Sequence, residues 1–336
     1  MLRNPHQLLL IFIHGFKGDD QTFQDFPVRL ATTMGNQPNL TAKSIVYKKY
    51  ETRGHLAQAV DAFCLWLDTE VKAHEEEKIQ IDGENVFAPV WVCLFGHSMG
   101  GIIAADAVLK YRRLGAENSP KIIGLLAYDT PYYGLEYDMM NTVYTRATEY
   151  KNQIENTVSM VTAGAVLAQS FWGGKNKEET KSSTSETKTA KPSNGFGVLK
   201  WGAAALAVGA VGTMTYRHKE KVGAGMDWVS SHLEFVSALI RKDELKKRLD
   251  ELMQDPDIIF HCYYTLIPPR VFGGTSKTFI ALPPNHMRKY FSPYECDVDS
   301  EIDAHTTMFD PKTNHNYYTL AEMTSRQLLK ILEKFE

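Results

Sequence analysis

The feature that most restricts this chain is an apolar run, Val90-Trp91-Val92-Cys93-Leu94-Phe95, that leads directly into Gly96-His97-Ser98-Met99-Gly100-Gly101. Ile102-Ile103-Ala104-Ala105 follows at once. An unbroken apolar run is the pattern of a strand buried on both faces, and the residues after the glycines read as the start of a helix. A strand that becomes a helix over so short a stretch must turn sharply, and only small neighbours fit around the turn. Gly96 and Gly100 meet that need. The segment fits G-x-S-x-G, the nucleophile elbow, in which a serine is held in strained backbone angles at the tip of the turn. The five-residue match says little by itself. Its strand–turn–helix setting makes Ser98 the candidate nucleophile.

The same rhythm runs through much of the chain. Apolar runs at residues 8–13, 44–50, 90–95 and 122–128 alternate with helical patterns at 55–74 and 99–115. That is the order of βαβ units, and it predicts an α/β fold with a mostly parallel central sheet flanked by helices. The pattern resumes at 258–266 and 277–282. An amphipathic helix over 325–335 closes the chain, with Leu328, Leu329, Ile331 and Leu332 at helical spacing. Residues 136–256 interrupt this order. Two Ala- and Gly-containing apolar segments, 158–172 and 201–216, flank a Ser/Thr/Lys/Glu tract at 175–194. That tract has too little apolar area to offset the entropy of ordering, so the sequence predicts it disordered. An amphipathic pattern over 226–252 ends the interruption. The expected organisation is therefore a core of 1–135 carrying the elbow, a helical cap insertion of 136–256, and a second core part, 257–336.

A chain of 336 residues can hold one α/β domain with such an insertion. A formal charge of −3 gives no basic surplus, so no nucleic-acid partner is expected. Cys64, Cys93, Cys262 and Cys296 lie far apart without C-x-x-C spacing, which argues for reduced, buried thiols and against a metal site. The apolar run at 8–13 is too short for a signal-peptide core and ends in His14-Gly15, so an intracellular chain is expected, cytoplasmic or on the cytosolic face of a membrane. Residues 201–216 contain no charge and are flanked by Lys200 and by Arg217-His218-Lys219. As a helix they would span about 24 Å, short of a hydrocarbon core of about 30 Å. Two roles are open for this segment: contact with a membrane, or packing within the cap.

Ile11-Phe12-Ile13-His14-Gly15-Phe16 followed by Phe95-Gly96-His97-Ser98-Met99-Gly100-Gly101 resembles the lipase-like serine esterases of the α/β-hydrolase fold. Leu126-Ala127-Tyr128-Asp129-Thr130-Pro131-Tyr132-Tyr133-Gly134 is similar to the block that follows the next strand in that group, and a fungal branch with a long insertion is most similar. The resemblance is good over 8–134 and looser over 258–336. It implies hydrolysis of an acyl ester through a Ser-His-Asp triad, without metal or organic cofactor. In this fold the oxyanion hole is built from backbone N–H groups of the residue after the nucleophile and of the loop after an earlier strand. Here those are Met99 and Phe16.

The base is expected after the last strand, where His286, His305 and His315 qualify. His305 lies in Ala304-His305-Thr306-Thr307-Met308-Phe309, which resembles the family's A-H-x-x-M-F block. The acid usually follows the penultimate strand, but residues 267–277 contain neither Asp nor Glu. Asp129, at the end of the 122–128 run, is the candidate one strand earlier, with Asp297 and Asp299 as alternatives. The apolar insertion points to a lipid-like ester. A thioesterase or acyltransferase would use the same groups, and a catalytically silent scaffold at a membrane is the reading from another class.

Overall fold

The computed structural model describes residues 4–15, 18–48, 55–81, 83–115, 119–136, 241–271 and 273–335. All of them belong to one unit, residues 1–145 together with 231–336. Its central sheet is built from seven strands: β1 (His6–Ile13), β2 (Leu40–Val46), β5 (Val90–His97), β6 (Lys121–Tyr128), β7 (Ile259–Ile267), β8 (Lys277–Thr278) and β9 (Phe291–Glu295). They lie in the order β2-β1-β5-β6-β7-β8, with β9 also paired to β7. A separate hairpin pairs β3 (Ile79–Ile81) with β4 (Glu84–Val86). Every main-sheet pairing is parallel except β7 with β8.

The reason lies in the strand sequences. In β1 and β5 nearly every side chain is apolar, and both strands are buried along almost their whole length, as strands covered on two faces must be. Successive side chains alternate between the faces. Leu8, Leu10 and Phe12 join a cluster with Phe26, Leu30, Met34, Tyr317, Leu328 and Ile331. These come from α1 (Phe26–Gly35) and α6 (Tyr317–Phe335), which therefore cover one face. On α6 the buried positions Tyr317, Leu320, Ala321, Thr324, Leu328, Ile331 and Leu332 follow three- and four-residue steps, the stripe of an amphipathic helix. The elbow helix α3 (Met99–Leu114) packs on β5, and α2 (Leu56–Glu75) packs on α3.

Several elements differ from the sequence expectation. β2 begins and ends four residues before the 44–50 run, because pairing with β1 runs from His6 with Leu40 to Phe12 with Val46. Only Lys277 and Thr278 of the 277–282 run form a strand. The sheet is continued instead by β9, which carries Ser292 and Pro293 and reads poorly as a strand; the missing proline N–H is tolerated at a sheet edge. α6 begins at Tyr317 rather than at 325. Of the 226–252 pattern, α4 (Lys242–Leu252) is helical, and residues 226–240 lie outside the described residues. So do the tract at 175–194 and the apolar segments 158–172 and 201–216. α4 buries Leu245, Leu249 and Leu252, and its Arg248 makes a two-point ion pair with Asp106 of α3. All four cysteines are free and buried.

Candidate active site

From β1 the chain passes outward to β2, returns to β5 beside β1, and then proceeds to β6 and β7. The winding direction thus reverses between β1 and β5. The crevice outside the carboxyl ends of strands at such a reversal is where open α/β sheets bind ligands. Two segments of the sequence end there: His14-Gly15 after β1, and Ser98 after β5.

Ser98 has φ 55° and ψ −125°, a sparsely populated conformation for a residue with a side chain. Its surroundings hold it there. The Ser98 N–H donates to the Tyr128 carbonyl at 2.9 Å. Tyr132 Oη donates to the Gly101 carbonyl at 2.8 Å and Thr130 Oγ1 to the Gly96 carbonyl at 3.3 Å, so the segment after β6 braces both sides of the turn. Glycine is required at two points by close approach. A Cβ on Gly96 would lie 2.3 Å from Gly101 Cα, and one on Gly100 would lie 2.0 Å from the Ile13 carbonyl oxygen. The loop after β1 lies against the serine: a Cβ on Gly15 would sit 2.8 Å from Ser98 Cβ.

Asp129 follows β6 with φ 47° and is fully buried. Its Oδ1 accepts from the Thr265 backbone N–H at 2.8 Å, and its Oδ2 accepts from Thr265 Oγ1 at 2.6 Å. His305 Nδ1 donates to the same Oδ2 at 3.1 Å. A carboxylate only accepts, so a proton sits on Nδ1, and the tautomer this selects carries its lone pair at Nε2. His305 lies on the short helix α5 (Glu301–Thr307), fully buried, with its ring stacked on Phe279 at a centroid distance of 3.7 Å. Among the described residues, His305 Nε2 and Ser98 Oγ are both buried without a hydrogen-bond partner. Leaving a buried polar atom unpaired costs roughly 1–3 kcal/mol, so neither is what stability alone would select.

His97, next to the serine, is the third buried ring. It stacks on His305 at 4.4 Å, and its Nε2 donates to the His305 carbonyl at 3.1 Å. Burial holds its imidazole well below the usual range, and the neighbouring His305 and His14 act in the same direction. The ring is neutral at physiological pH.

The other residues weighed from the sequence lie elsewhere. His286 and His315 are exposed, as are Asp297 and Asp299, and Asp299 pairs with Arg270 at 2.7 Å. None of the four shares a described contact with Ser98, Asp129 or His305. Met99 is buried at the first position of α3, where helix geometry leaves its N–H without an intrahelical acceptor. Phe16 lies outside the described residues. Sequence reasoning misses Thr265, Thr130, Tyr132 and His97 as members of the site. Tyr132 and Thr130 do sit in the block that carries the family resemblance. Thr265 gives no signal, being an ordinary strand threonine. Among the described residues, cavities of 720 Å³ along the α1–β2 edge and 480 Å³ between α2, α3 and α4 are present. Neither is lined by these residues, and the chemistry of the side chains locates the site better than cavity size.

A mostly parallel sheet with a winding reversal at β1/β5, a strained serine at the strand-to-helix turn after β5, and an aspartate and a histidine following in that order define the α/β-hydrolase fold. No protein-family model and no curated protein matches the sequence. Among solved structures, the chain is similar to one from a study of carboxylesterases of the thaumarchaeon Nitrososphaera gargenis, at 10% identity over 99% of this chain and 92% of that one, with a TM-score of 0.43. It is similar to the peroxisomal α/β-hydrolase Lpx1 of Saccharomyces cerevisiae at 11% identity over 97% and 79% of the two chains, with a TM-score of 0.42. Est1E from Butyrivibrio proteoclasticus matches at 16% identity with a TM-score of 0.26, over 38% of this chain and only 41% of that protein. With identities and TM-scores this low, none of these likenesses bears on the reading of the site, which rests on the geometry above.

Proposed function

We propose that this chain is a serine hydrolase that cleaves a carboxylic ester, with a lipid-like acyl group, through an acyl-enzyme on Ser98. The observation that carries the reading is the buried Asp129–His305 hydrogen bond, which leaves His305 Nε2 bare while Ser98 Oγ stands unpartnered. Serine is a weak nucleophile until a base takes its proton. In the proposed reaction His305 Nε2 accepts the Ser98 Oγ proton as Oγ bonds to the ester carbonyl carbon. Asp129 holds the tautomer and stabilises the imidazolium. The N–H of Met99, with that of Phe16, bonds the developing oxyanion, an effect worth roughly 3–4 kcal/mol per donor in other enzymes. The carbon–alkoxide bond then breaks and His305 returns the proton to the leaving alcohol. Water repeats the sequence on the acyl-enzyme and releases the acid. The lipid-like acyl group is supported by the uncharged segment 201–216 and the apolar segment 158–172 of the insertion, which are read from sequence alone.

The test is turnover of p-nitrophenyl esters from acetate to palmitate by the full-length protein. Hydrolysis should favour medium or long acyl chains and be abolished in Ser98→Ala and His305→Ala, because such groups act as a unit. Turnover retained by folded Ser98→Ala would defeat the nucleophile assignment, and a preference for acetate would defeat the lipid-like substrate.

A further inference from the structure

We infer that His97 is a positioning residue, which fixes the His305 ring for proton transfer by anchoring the backbone that carries it to the nucleophile elbow. The inference rests on the reading of Ser98 and His305 as nucleophile and base.

His305 reaches the site from a seven-residue helix, α5, that follows an irregular stretch after β9. So short a helix has little stability of its own. His305 also lies within its last four residues, whose carbonyls find no donor inside the helix. One of those carbonyls, that of His305 itself, is buried and is met by His97 Nε2 at 3.1 Å. The donor comes from the residue directly before Ser98, 208 positions away in sequence. A single contact therefore ties the backbone of the base to the residue next to the nucleophile. The two rings also stack at 4.4 Å with 28° between their planes. On its other sides the His97 ring meets Phe23 and Phe309 edge-on, at 6.4 and 5.5 Å.

A carbonyl only accepts, so His97 must carry its proton on Nε2. Its burial in this aromatic surround keeps it neutral, and the bond to the carbonyl is then a neutral one that does not compete with Asp129 for the imidazolium charge of His305. The expected consequence is a separation of kinetic effects. His97 is buried, so its loss is expected to leave substrate binding largely unchanged, whereas alignment of Nε2 with Oγ depends on it. An offset of even 1 Å in such an alignment can lower a rate by about 100-fold.

The experiment compares wild type, His97→Phe and His97→Gln on the ester that the wild type turns over best. Phe keeps a flat aromatic ring that can stack, although a somewhat larger one, and removes the donor. Gln keeps a donor and loses the ring. His97→Phe should lower kcat about 10- to 100-fold with KM within about threefold, and His97→Gln should recover most of kcat. Wild-type kcat in folded His97→Phe overturns the proposal, as does a Gln variant as impaired as Phe, which would assign the effect to packing. Should neither variant fold, nitrogen NMR of the histidines in the wild-type protein decides the matter. A neutral His97 with its proton on Nε2 is required, and the Nδ1–H tautomer overturns the proposal. Ser98→Ala measured alongside separates the two failures. Turnover retained there removes the underlying reading and this proposal with it, while an inactive Ser98→Ala beside an unaffected His97→Phe removes this proposal alone.

Discussion

Asp129 accepts from three donors, two on Thr265 and one on His305. Asn in its place would match it in size and turn one acceptor into a donor, which favours the His305 tautomer with the proton on Nε2 and removes the base. Asp129→Asn should therefore lower kcat about 1,000- to 10,000-fold with the fold intact by circular dichroism. Near-normal turnover there, with an inactive Asp297→Asn or Asp299→Asn, would move the acid to the later loop. Thr265→Val keeps the shape and removes one hydrogen bond to a charged acceptor, so kcat should fall roughly 10-fold. The uneven legibility of this site has a physical origin. Ser98 announces itself because the elbow writes its steric demands into adjacent residues. The partner of His305 does not, since the contact joins positions 176 apart, and spacing alone leaves three carboxylates open. Thr265 and His97 act across the sheet through contacts with no local sequence signature.

Elements are most legible where burial is two-sided. β1, β5 and β6 read as apolar runs because both faces are covered, and their bounds differ from the sequence expectation by at most two residues at either end. β9 and β2 are hidden or displaced because edge strands need not be apolar throughout. α1 carries only Phe26, Pro27, Leu30 and Met34 on its buried face, a stripe too short to stand out beside a turn-rich approach. The crossing of β1 with the start of α3 makes a stability prediction. Gly100→Ala would place Cβ against the Ile13 carbonyl, where backbone cannot give way, and should destabilise by about 3 kcal/mol or more in urea unfolding. Gly115→Ala is the contrast. Its φ of 57° is strained for alanine but the space is open, so about 1 kcal/mol is expected. Equal losses at the two positions would contradict the close approach.

For the whole molecule, the mostly parallel sheet is legible in the succession of buried strands, whereas the strand order with its winding reversal emerges only from the structure and the insertion is legible only as composition. Among the described residues no helix is long and apolar enough to cross a membrane, and residues 201–216 lie outside them. Their contact with a membrane is a proposal with its own test: the full-length protein should co-sediment with vesicles containing phosphatidylserine. A variant lacking residues 175–221 should not, while still hydrolysing a short ester. Failure of the intact protein to bind would assign the segment to the cap. Global stability should also depend on pH. Burial lowers the His261 imidazole to about 4, below the usual value near 6.5 of an unfolded chain. The unfolded state then binds the proton first, so stability present above pH 6.5 is lost as pH falls towards 4. His261→Gln should flatten that part of the pH–stability curve, and an unchanged slope would show that His261 does not contribute. The central claim is that Ser98 is an activated nucleophile. Labelling the full-length protein with a fluorophosphonate and mapping the adduct by peptide mass spectrometry tests it most directly. A single adduct on Ser98, lost in Ser98→Ala and strongly slowed in Asp129→Asn, is the predicted result; a folded wild-type protein that stays unlabelled, or an adduct that persists in Ser98→Ala, would contradict it.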